Sequence, residues 1–156
     1  MFGKIVLALD GSESSDRVVP VARELAAPGS ARIDVVHVHE VIPARGGANT
    51  ARVDEEELEA KVRDQAKEFA DAGYDTHVHV ESTVGGGPAH VISQVASKVG
   101  ADVIVIGTRG HAPVAGLLLG SVTQRLLHIS PCPVLAIPPA GDRSPAGEAE
   151  AVTSAG

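Results

Sequence analysis

The stretch Ile5-Val6-Leu7-Ala8-Leu9-Asp10-Gly11-Ser12 decides how this chain is read. Its continuous apolar run predicts a strand buried on both faces. Asp10-Gly11-Ser12 then ends the run, and Ser12, Ser14 and Ser15 are candidate N-caps for a helix. Val18, Val21, Ala22 and Leu25 come next, at the spacing of one helical face. A buried strand feeding directly into a helix is the repeating unit of a parallel sheet, since parallel neighbours need a crossover of that length.

The unit recurs outward from there. Apolar runs return at 33–38 (broken by Asp34 and His37), at 103–106 and at 134–137. Residues 76–81, Thr-His-Val-His-Val-Glu, alternate instead, which predicts a strand near a sheet edge with one face more exposed. Between the runs lie helical patterns. One covers 54–72: it opens on Asp54-Glu55-Glu56-Glu57, acidic groups suited to the positive end of a helix dipole, and Gly73 ends it. Another starts at Pro88, carries Val91, Ile92, Val95, Ala96 and Val99, and stops at Gly100. A further helix is expected from Ser121 to Ile129. Strands and helices therefore alternate, which predicts an α/β fold: an open five-stranded parallel sheet with right-handed crossovers and helices on both faces. Residues 43–49 read as a flexible connection. The domain is expected over 1–139, followed by a disordered tail at 140–156 that has almost no large apolar residue.

Composition narrows the function. The chain has 156 residues, 44% hydrophobic and 21% charged, enough for one globular core. Phe2, Phe69 and Tyr74 are its only Phe, Trp or Tyr residues and its formal charge is −7, so neither base stacking nor a basic field points to nucleic acid. A single cysteine, Cys132, excludes an internal disulfide and a thiolate-cluster metal site. Lying between two prolines, it reads as a small hydrophobe. The run before Asp10 is too short for a signal peptide or a membrane span, so a cytoplasmic protein without membrane contact is expected.

In open α/β sheets, ligands bind beyond the carboxyl ends of the strands where strand order reverses. Two segments stand at such ends: Asp10-Gly11-Ser12, and the glycine-bounded stretch from Gly107-Thr108-Arg109-Gly110-His111 to Gly120-Ser121-Val122-Thr123. Glycines let backbone approach a ligand, and the first N–H groups of a helix lack intrahelical partners, so the second segment reads as a phosphate cradle. The same residues also read as a strand-end turn and an ordinary N-cap, and spacing alone does not choose between these. Neither a P-loop nor a dinucleotide-binding G-x-G-x-x-G follows a strand. Arg109 and His111 are the nearby charged or titratable groups, and no evident base positions water, so fast hydrolysis is not expected. His37 with His39, and His77 with His79, share strand faces but lack an obvious third metal ligand. Helix-start charge accounts for Glu55 to Glu57.

Gly107, Gly110 and Gly120-Ser121 match the G-x2-G-x9-G-[S/T] spacing of the universal stress protein family. The opening Lys4 to Ser12, His37-Val38, Gly87-Pro88 and Pro131-Cys132-Pro133-Val134-Leu135 extend the resemblance over nearly the whole domain. The resemblance implies strand order 3-2-1-4-5 and, for members with the glycine motif, ATP with Mg²⁺ or Mn²⁺ bridging its phosphates. It assigns Ala8 and Asp10 to the adenosine part, and Val38 to adenine through its backbone. Ile106 and Gly107 go to adenine and ribose, and Gly110, Gly120, Ser121, Val122 and Thr123 to the phosphates. It implies a homodimer through the last strand, residues 133–137, and a nucleotide-dependent stress regulator or sensor acting on an unidentified protein partner. The alternatives are a slow ATP hydrolase or nucleotidyl-transfer enzyme in the same pocket, or a cyclic AMP or AMP module.

Overall fold

The computed structural model describes residues 1–40, 51–83, 87–108 and 119–139, with side chains in the second segment from Glu55 onward. Expectations for the 43–49 connection, for Arg109, Gly110 and His111, and for the 140–156 tail lie outside these residues. In chain order the elements are β1 (Lys4–Ala8), α1 (Glu13–Asp16), α2 (Val18–Leu25), β2 (Arg32–Glu40) and α3 (Ala51–Asp71). They continue with β3 (Asp75–Thr83), α4 (Pro88–Val99), β4 (Val103–Gly107), α5 (Ser121–Ile129) and β5 (Val134–Ile137). The strands form one parallel sheet in the order β3-β2-β1-β4-β5.

The pleat sorts the apolar runs between two cores. Ile5, Leu7, Ile33, Val35, Val103 and Val105 face α2 and α3, meeting Val18, Ala22, Val62, Ala66 and Phe69. Val6, Ala8, Val36, Ile104 and Ile106 face the opposite side, where α4 and α5 bring Ile92, Val95, Ala96 and Leu126. Both faces of β1 and β4 are therefore dry, which is why those strands are continuously apolar. β3 lies at the edge, and its alternating pattern reflects having less of the molecule to cover it.

Two expectations are refined. The first predicted helix is broken into a short turn and α2. Ser12 caps the short turn, its hydroxyl accepting from the Ser15 N–H at 3.3 Å. The buried face is Val18, Val19 and Ala22, while Val21 and Leu25 are only partly covered. α3 starts at Ala51, ahead of the expected 54, so Glu55 to Glu57 stand beyond its first turn. Elsewhere the boundaries agree to within about two residues, β2 and β3 running on to Glu40 and Thr83. Pro88 opens α4, and Gly100 ends it at φ +64°, the left-handed conformation a C-cap glycine supplies. The start of β1 is tied to the turn before β4: the Asp102 carboxylate accepts from the backbone N–H groups of Gly3 (3.0 Å) and Lys4 (2.8 Å).

Candidate functional site

The chain leaves β1 towards β2 on one side and returns through α4 to β4 on the other, so the strand order reverses between β1 and β4. Ala8 pairs with Ile106 across that boundary. Beyond their carboxyl ends opens a cleft of about 350 Å³. Its apolar walls are Ala8, Val36, Val38, Ile92 and Ile106. Asp10 and Ser15 stand at the β1 exit, and Gly107, Gly120, Ser121, Val122 and Thr123 at the β4 exit. Every residue expected at the site lines this one cleft except Gly110, which lies outside the described residues.

Local bonding fixes both rims. The Asp10 carboxylate accepts from the Ser12 N–H at 3.0 Å and the Ser12 hydroxyl at 2.6 Å, shaping the turn out of β1. Gly11 continues that turn at φ +78°, and a Cβ there would lie 2.8 Å from Leu58 Cδ2 and 3.2 Å from Leu58 Cα. α3 thus rests on the turn. Lys61 staples the two, donating to the Gly11 carbonyl (3.1 Å) and to Asp16 (2.8 Å).

At the other rim, Thr108 N–H donates to the Ile137 carbonyl at 2.8 Å and Gly120 N–H to the Thr108 carbonyl at 2.6 Å. Thr123 is buried, and its hydroxyl donates to the Gly107 carbonyl at 2.9 Å. That proton is spent on holding α5 against β4, which leaves Thr123 with its backbone N–H and the acceptor capacity of its hydroxyl. Gly120 is the N-cap of α5, and no side chain among the described residues caps the helix. Gly120, Ser121, Val122 and Thr123 all line the cleft, so the first turn of α5, with the positive end of its dipole, stands at its edge.

His37 and His39 show what sequence reasoning missed. His37 is buried, and since a carbonyl only accepts, its Nδ1–H donates to the Leu9 carbonyl at 2.9 Å. Its Nε2 is buried with no hydrogen-bond partner among the described residues. His39 meets Glu55 through Nδ1 at 2.9 Å and Glu59 through Nε2 at 3.2 Å. The third ligand that spacing along β2 did not supply is Glu55, brought in from α3: one donor atom each from His37, His39 and Glu55 lies within 4.8 Å of the others. The available signal was the acidic run Glu55 to Glu57 in the helix that follows β2 in the chain. The Arg63 guanidinium holds the Glu59 carboxyl below its ordinary pKa; burial opposes this, and His39 adds to it. Burial pushes the Cys132 thiol up, against a hydrogen bond from Ser130, in keeping with an unreactive thiol.

Among the described lining residues are the carboxylates Asp10, Glu40 and Glu55 and no lysine or arginine. A polyanion entering this cleft finds its favourable field at the α5 N-terminus and in any cation it brings. Asp10 and Ser121 offer the oxygen donors that Mg²⁺ or Mn²⁺ takes, so the residues fit such a cation.

A sequence model described as the universal stress protein family matches residues 1–138. A Thermus aquaticus relative, the universal stress protein in the QAH/OAS sulfhydrylase 3′ region, is 39% identical over 139 residues, covering 88% of this chain and 99% of its own. Among solved structures, a universal stress protein in complex with cAMP is 28% identical with a TM-score of 0.59, covering 87% of this chain and 97% of that one. An Archaeoglobus fulgidus universal stress protein in complex with dAMP is 26% identical with a TM-score of 0.62, covering 86% and 96%. With its 3-2-1-4-5 sheet and a cleft at the β1–β4 exit, the chain belongs to the universal stress protein family.

Proposed function

We propose that the protein binds ATP in the cleft between β1 and β4 and works as a nucleotide-dependent regulator or sensor in the stress response. The observation that carries this is the α5 N-terminus, without a side-chain cap among the described residues, which lines the same cleft as the apolar slot made by Ala8, Val38 and Ile106. The slot suits an adenine ring; the helix end suits an anion. In this reading Asp10 and Ala8 meet adenosine, and the Val38 backbone reads the base. Ile106 and Gly107 flank base and ribose, and Gly110, Gly120, Ser121, Val122 and Thr123 hold phosphate. Mg²⁺ or Mn²⁺, when bound, neutralises phosphate charge beside Asp10 and Ser121. Names of relatives support adenine recognition, since two solved ones are complexes with cAMP and dAMP. Those same names favour a second reading, in which a monophosphate is the preferred ligand. Calorimetric titration with ATP, AMP and cAMP, each with and without Mg²⁺, distinguishes them. Tightest binding by ATP with the cation is expected; no binding of any adenine nucleotide overturns both readings.

The same proposal includes a homodimer. β5 ends the sheet, and Leu135 on it is 37% exposed. An apolar edge strand invites a second copy to pair with it.

A further inference from the structure

We propose that His37, His39 and Glu55 form a site for a late first-row divalent cation, of the zinc type, at the β2 side of the cleft. His37 carries the argument. Its ring is 2% exposed and locked by the bond from Nδ1–H to the Leu9 carbonyl, which leaves the Nε2 lone pair buried with no hydrogen-bond partner among the described residues. Buried polar atoms are normally satisfied, so a lone pair kept this way asks for a partner. A metal-bound histidine characteristically donates its other ring N–H to a carbonyl or carboxylate, and that is how His37 is held.

The remaining donors converge on it. His39 shares the strand face, its ring meeting that of His37 edge-on with centroids 4.7 Å apart. Glu55 reaches over from α3, and the donor atoms all lie within 4.8 Å of one another. Donors around tetrahedral zinc, each at about 2.0–2.2 Å, are about 3.4 Å apart. The difference is within reach of rotations of His39 and Glu55, whose side chains are both partly exposed. The cation replaces the contact between His39 Nδ1 and Glu55, while Glu59 keeps the His39 Nε2–H and so orients the ring. Two imidazoles and one carboxylate suit zinc, whereas Mg²⁺ prefers an all-oxygen shell. Three protein ligands leave a fourth position open. The site also stands apart from the phosphate end: β2 and β4 lie on opposite sides of β1, two strand spacings or about 9.6 Å.

The test uses the full chain, stripped with EDTA and titrated with zinc sulfate by calorimetry without nucleotide, so its result is independent of ATP binding. One zinc per chain is expected. His39→Ala and Glu55→Gln, both at partly exposed positions and checked for fold by circular dichroism, should each weaken binding at least about tenfold, and Glu59→Gln, a positioning change, by about 10- to 100-fold. Cobalt(II) should give the visible absorption of a tetrahedral site in the wild type and lose it in His39→Ala. Absence of zinc binding overturns the proposal. So does unchanged affinity in both His39→Ala and Glu55→Gln, which would put the ion on other histidines.

Discussion

Asp34 shows how one residue in a buried strand sets both stability and its pH dependence. Its side chain is fully buried, yet Arg32 donates to it from Nε and Nη2 at 2.7 and 2.9 Å, and His79 lies at 2.8 Å. Burial raises the Asp34 pKa, but the bonds from Arg32 and His79 outweigh that and hold it below the ordinary value. A depressed folded-state pKa stabilises above the unfolded value of about 3.9 and loses that stabilisation as pH falls towards the folded value. Arg32→Ala should therefore cost about 2–3 kcal/mol at pH 7, where it leaves a buried carboxylate with His79 as its remaining side-chain partner, and the gap should narrow below about pH 4. Urea denaturation of both proteins at pH 7 and pH 3 checks this; a gap that widens at low pH contradicts it. The sequence marked Asp34 only as an interruption of an apolar run. Its partners sit two residues away on the same strand and on the neighbouring one, a pairing that register decides.

Among elements, α3 reaches the cleft through Glu55 and rests on the turn that leaves β1. Gly11 permits this twice over: its φ of +78° is strained for other residues, and a Cβ would strike Leu58. Gly11→Ala should cost about 1–3 kcal/mol in denaturant unfolding. It should also weaken zinc binding, since Glu55 precedes Leu58 by one helical turn. Loss of stability without any change in zinc affinity would mean that α3 shifts as a rigid unit elsewhere. The existence of α3 was readable from Leu58, Val62, Ala66 and Phe69. Its contact with Gly11 was not, because helical periodicity says which face is buried and nothing of what it is buried against. At α5 the opposite holds. Gly120 has φ −66°, open to any residue, so its glycine is not needed for the turn. In the proposed function its missing side chain leaves room for phosphate. Gly120→Val, or the pair with Gly110→Val, should weaken ATP binding at least about tenfold (about 1.4 kcal/mol) with an unchanged circular dichroism spectrum. Unaltered affinity in the double variant removes the phosphate site.

For the whole molecule, the two apolar strands that lead to Asp10 and Gly107 were legible in the residues, while their adjacency came from the strand order 3-2-1-4-5 that the family resemblance implied, and the cleft arises from that adjacency. The same order leaves β5 at an edge. A stable interface buries roughly 800 Å² per partner, more than a strand from Val134 to Ile137 provides alone, so a dimer needs neighbouring apolar surface. Leu127 on α5, 51% exposed, is with Leu135 one of the exposed large apolar side chains of the described residues. In the proposed dimer a two-fold axis along β5 would bury Leu135 and draw on Leu127 for further apolar area. Sedimentation equilibrium should therefore report a dimer for the wild type at micromolar concentration and a monomer for Leu135→Lys combined with Leu127→Lys. Both positions are exposed in the isolated chain, so the fold should survive, and the monomer should change in stability only through the lost partner. A wild-type monomer, or a charged double variant that still pairs, would move the interface to another surface and leave β5 as a bare edge.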